Sequence, residues 1–106
     1  MQSGNNKILI INDLNIELKI YATLFQNEGF EIIKTTNAKD GLNLATQEKP
    51  ICILVDNIMK EMDGTEFARK LKADPLLKNI PLVILTATDH APNLINALRA
   101  GANDYI

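Results

Sequence analysis

Three short apolar runs, at residues 8–11, 51–55 and 82–85, stand out along the chain, rich in β-branched residues and bounded by polar or turn-forming ones. Runs of that length read as strands buried on both faces, as in a parallel sheet, because a sheet with one wet face alternates apolar and polar positions. A fourth strand is expected over 30–35, and a fifth begins at Asp104, Tyr105 and Ile106. Between the strands the period becomes helical. Leu18, Tyr21, Ala22 and Phe25 fall at i, i+3, i+4 and i+7, with Gly29 as the stop. Ala38, Leu42 and Ala45 mark a second helix, with Asn37 placed to cap it and Pro50 beyond its end. A third is expected over 65–73, with Phe67 and Leu71 inward, and a fourth at Ala91, Leu94, Ile95 and Leu98, closed by Gly101.

Strands alternating with helices imply βαβ units, whose right-handed crossovers place helices on both faces of a parallel sheet. The fold class is therefore α/β, without an internal domain boundary or repeat. Ligands of such sheets bind at the carboxyl ends of the strands. There the sequence carries Asn12 and Asp13 after the first strand, Asp56 and Asn57 after the third, and Thr86, Ala87 and Thr88 after the fourth. Taken singly, an Asp or Asn after a strand is accounted for by turn-making and helix-capping. Three neighbouring strand ends with oxygen-bearing side chains are a constellation. Carboxylates brought this close need a cation or a shared proton, and hard oxygen ligands favour Mg²⁺, which keeps several waters.

Composition narrows the function classes. The 106 residues suffice for one domain, and 46% hydrophobic with 23% charged residues is an ordinary globular balance. Eleven basic against 13 acidic side chains give a net charge of −2, which argues against direct nucleic-acid binding. Lys70, Lys72 and Lys78 read as a solvated face and His90 as a surface or capping residue. The single cysteine, Cys52, makes no intrachain disulfide and reads as a small core residue, which fits a reducing cytoplasm. Residues 1–6 read as a disordered polar leader with no signal-peptide pattern, and no apolar run approaches a membrane span.

The segments 7–13 (KILIIND), 53–64 (ILVDNIMKEMDG), 80–87 (IPLVILTA) and 100–106 (AGANDYI) resemble the receiver domains of bacterial two-component response regulators, in order and at the family's spacing. The likeness runs from Lys7 to Ile106. It implies a flavodoxin-like, doubly wound five-stranded sheet of order 2-1-3-4-5, an arrangement for which a receiver protein is itself a standard example, with Asp13 beside Asp56. It implies Asp56 as phosphoacceptor from a sensor histidine kinase or phosphotransfer protein. Asp13, Asp56 and the Ile58 backbone carbonyl would bind Mg²⁺, and Thr86 and Tyr105 would carry the switch. On this likeness the chain is a signalling domain and not an enzyme, performing at most Mg²⁺-dependent self-phosphorylation and self-dephosphorylation.

Departures from the pattern shape the expectations. Asn12 stands in what is usually an acidic pair; an amide accepts a hydrogen bond from a metal-bound water but adds no charge, so Mg²⁺ should bind more weakly. Lys60 stands where the family commonly has proline and reads as a solvated loop residue. The family's active-site lysine and final helix would follow Ile106, a shortfall of roughly 15 residues by average element lengths. A shortened piece, or a domain completed by self-association as a homodimer, is expected. The alternative reading is a degenerate, non-phosphorylated receiver serving as a protein-interaction module. A phosphatase with an aspartyl intermediate is disfavoured because Ile58 stands where a second Asp is needed. A nucleotide site is disfavoured because no glycine-rich loop follows the first strand.

Overall fold

The computed structural model describes residues 6–56, 59, 62–85 and 104–105. Within them the order is β1 (Lys7–Ile11), α1 (Asn15–Asn27), β2 (Glu31–Thr35), α2 (Ala38–Glu48), β3 (Cys52–Asp56), α3 (Gly64–Ala73), β4 (Leu82–Leu85) and β5 (Asp104–Tyr105). The strands form one parallel sheet of order β2-β1-β3-β4-β5, the doubly wound arrangement expected.

The apolar runs become strands because both of their faces are covered. Ile8 and Ile10 of β1 and Leu54 of β3 meet Leu18, Tyr21 and Phe25 of α1 on one side. Leu9, Ile11, Ile53, Val55, Leu82 and Ile84 form the larger core on the other, with Ala38 and Ala45 of α2 and Phe67, Ala68 and Leu71 of α3. Met59 and Met62 pack against that core from the loop after β3. Strand β2 lies at the sheet's edge, and none of its residues is fully buried.

The punctuation residues act as the sequence suggests, with exceptions. Asn37 caps α2 by accepting from Asp40 N–H at 3.0 Å, and Gly29 follows α1 with φ +96°, which glycine adopts without a Cβ penalty. Asp63 caps α3, accepting from Glu66 N–H at 2.8 Å. Lys49, a non-glycine residue at φ 49°, ends α2 in the left-handed conformation. The third strand begins at Cys52 and includes Asp56, one residue later than expected. Ile51 bonds to the Lys7 carbonyl through its N–H but is 39% exposed, and Cys52 is half-buried at the margin of the α1-side core. Asn6, assigned by sequence to the leader, already joins the fold, its side chain donating to Gly29 O and its carbonyl accepting from Glu31 N–H.

Lys72 does more than solvate a helix face: its ammonium donates to the Lys78 carbonyl at 2.9 Å, closing the turn between α3 and β4. The outer face of α1 exposes Ile16, Ile20 and Leu24. Among the described residues, no helix is long and apolar enough to cross a membrane. The expected fourth helix and His90 lie outside the described residues.

Candidate functional site

The sheet register assembles the candidate site. Ile11 pairs with Val55, the last rung of the β1–β3 ladder, so Asn12 and Asp56 follow it on adjacent strands and Asp13 comes one residue later. Asp56 also pairs with Leu85 of β4, immediately before Thr86. Asp13 and Asp56 thus share the carboxyl edge of the sheet, where neighbouring parallel strands present side chains to one ligand. Both are partly buried. Thr86, Ile58, Asn57 and Lys60 lie outside the described residues. Tyr105 is described only as part of β5, paired with Ile84.

Asn12 ends β1. Its N–H extends the ladder to β2 by donating to Thr35 O at 3.1 Å. The residue is 1% exposed and both polar atoms of its side chain are bonded: the amide oxygen accepts from Leu14 N–H at 2.9 Å, and the amide nitrogen donates to Glu17 Oε1 at 3.1 Å. The first bond makes the turn from β1 into α1, whose N-cap position, Leu14, supplies no side-chain cap. These bonds offset the cost of burying a primary amide. Glu17 lies in the first turn of α1, where a carboxylate is favoured by the helix dipole.

Sequence reading did not single out Glu17. The available signal was an amide after a strand and an acid in the next helix's first turn, a pairing that matters only once burial fixes the amide's orientation. Among the described residues, no group of three or more His, Cys, Asp or Glu side chains could hold a metal ion. Two strand-end carboxylates are an all-oxygen, low-denticity donor set. That chemistry fits Mg²⁺, which takes few protein ligands and retains water.

Two titrating groups away from the sheet's carboxyl edge, Lys7 and Cys52, are shifted. Lys7 donates to Glu48 at 3.0 Å at the opposite edge of the sheet; that hydrogen bond and the charge of Glu48 raise its pKa above 10.5, against a smaller opposing effect of burial. Burial pushes the Cys52 thiol up, with a smaller opposing effect from the Ile53 backbone.

Comparison with known proteins bears on this geometry. Residues 8–106 match the family described as the response regulator receiver domain. Protein PilH of Pseudomonas aeruginosa is 33% identical over 100 residues, covering 94% of this chain and 83% of that protein. Response regulator PleD of Caulobacter vibrioides is 32% identical over 100 residues, again 94% of this chain but 22% of PleD. A signal receiver domain of a signal transduction histidine kinase from Syntrophus aciditrophicus superposes with a TM-score of 0.87 at 28% identity, covering 95% of this chain and 76% of that one. Chemotaxis protein CheY4 of Vibrio cholerae, at 20% identity, shares the fold with a TM-score of 0.91 over 97% of this chain and 86% of its own.

Proposed function

We propose, for a chain that belongs to the response regulator receiver domain family, that Asp56 accepts a phosphoryl group from a phosphohistidine on a sensor histidine kinase or phosphotransfer protein. The observation that carries the reading is the position of Asp56 as the last residue of the central strand β3, one rung beyond the Ile11–Val55 pair and next to the strand end that bears Asp13. An Asp56 carboxylate oxygen forms the new O–P bond as the P–N bond to the donor imidazole breaks, and the imidazole nitrogen keeps the electron pair. Asp13, Asp56 and the Ile58 carbonyl would hold Mg²⁺, which when bound offsets the negative charge of nucleophile and phosphoryl group. The rest is positioning: the fully buried run Leu9 to Ile11 of β1 and the buried Ile53 to Val55 of β3 anchor the strands that carry the two carboxylates.

The acyl phosphate adds charge and acceptor oxygens at one strand end. The Thr86 hydroxyl, one residue past β4, and the Tyr105 ring in β5 respond to it and shift the population of a partner-binding surface. The domain is a cytoplasmic phosphoacceptor and not a turnover enzyme. The test is thermal: with Mg²⁺, beryllofluoride is expected to raise the melting temperature of the wild-type chain and leave Asp56→Asn unchanged, since a ligand at 100 times its Kd stabilises by about 2.7 kcal/mol. Absence of a shift in the wild type contradicts the reading.

A further inference from the structure

The buried amide of Asn12 has its orientation fixed by what surrounds it. Leu14 N–H is a donor, so the side-chain oxygen of Asn12 must face it, and this leaves the NH₂ end pointing at Glu17 Oε1. An aspartate at position 12 would also accept from Leu14 N–H, but it would turn a second anionic oxygen on Glu17 and repel it. The amide therefore does something a carboxylate cannot: it draws a carboxylate from the first turn of α1 onto the strand end that leads into Asp13.

We propose that Glu17 supplies, from α1, the negative charge that Asn12 withholds from the cation site, and that Asn12 is the residue that positions it. The inference rests on the Mg²⁺-dependent reading of Asp13 and Asp56 and names a further residue of that same site. Glu17 acts through water and not as a direct ligand, its Oε1 being held at 3.1 Å by the buried Asn12 amide. Mg²⁺ suits this arrangement because it retains several waters that a nearby carboxylate can accept from. Departure from an acidic pair is then a relocation of charge by five residues and not its loss.

The pair predicts its own rescue. Glu17→Gln keeps an acceptor for the Asn12 amide and removes only the charge. The exchange Asn12→Asp with Glu17→Gln swaps carboxylate and amide between the two positions, with the introduced glutamine NH₂ able to donate to the introduced carboxylate. Titrating MgCl₂ into the 106-residue chain by calorimetry, with NMR to follow Asp13, separates the possibilities. Expected is wild-type binding that Asp13→Asn removes, weakened about fivefold by Glu17→Gln, as a water-separated charge at the surface predicts, and restored by the double exchange. Without Mg²⁺, Glu17→Gln should lower the melting temperature slightly through the lost helix-dipole interaction, so the charge effect at the cation site is read from Mg²⁺ affinity and from the Mg²⁺-dependent shift in melting temperature, not from basal stability. Wild-type binding that Glu17→Gln leaves unchanged overturns this inference and leaves the phosphoacceptor reading standing. No binding by the wild type overturns both.

Discussion

Gly41 of α2 packs directly on Ile11 of β1: a Cβ at Gly41 would overlap Ile11 Cδ1 and come within 2.9 Å of Cγ1, with Phe67 Cε1 3.5 Å away. The helix can approach the strand this closely only without a side chain. Because Ile11 is the last residue of β1, the contact also sets where Asn12 and Asp13 leave the sheet. Gly41→Ala should destabilise by about 1–2 kcal/mol in urea unfolding, the net of overpacking and a helix-propensity gain of up to about 1 kcal/mol. Equal or greater stability would mean that Ile11 has room to move.

Phe67 is completely buried at the centre of the larger core, whereas Ile20 is 53% exposed on the outer face of α1. Phe67→Ala should cost about 3–5 kcal/mol, a large part of the 5–15 kcal/mol typical of a domain. Ile20→Lys should stay within about 0.5 kcal/mol. Chemical denaturation of both variants checks the contrast.

The Lys7–Glu48 pair gives a pH signature with a definite sign. Lys7 has its pKa raised in the folded chain, mainly by the hydrogen bond to Glu48. Its contribution is therefore fully present below its ordinary value of 10.5 and is lost as pH rises through the raised value. The stability difference between wild type and Lys7→Met should be small at neutral pH, shrink with added salt and vanish in strong alkali. A difference that persists there would mean the lysine acts through packing of its stem.

Cys52 should be a slow nucleophile. Burial favours its neutral thiol and raises its pKa above 9.0, and only the thiolate reacts. Iodoacetamide at mildly alkaline pH should modify the folded chain more slowly than the urea-unfolded chain. Equal rates would show that the margin of the α1-side core opens freely.

Features governed by local chemistry were legible in the sequence, and those created by long-range pairing were not. Asn37 announces its cap by position alone, and Phe67 and Leu71 announce their face by helical spacing. The order of the strands came through family likeness, since no local pattern says that β1 lies between β2 and β3. Ile51 shows the limit of apolar identity: strand β3 begins where its ladder begins, at Cys52. Lys49 ends α2 in a conformation that glycine would have signalled and lysine does not. At the site, Asp13 and Asp56 were visible as strand-end acids. The link from Asn12 to Glu17 was not, because it depends on the burial of one amide and the direction of a turn.

The most direct test of the central claim is covalent. The chain is incubated with acetyl phosphate and Mg²⁺, and its intact mass is measured beside that of Asp56→Asn. One phosphoryl group on the wild type, lost on mild alkaline treatment as an acyl phosphate and absent from Asp56→Asn, is the expected result. An unmodified wild type, or equal modification of Asp56→Asn, would contradict the assignment of Asp56 as phosphoacceptor.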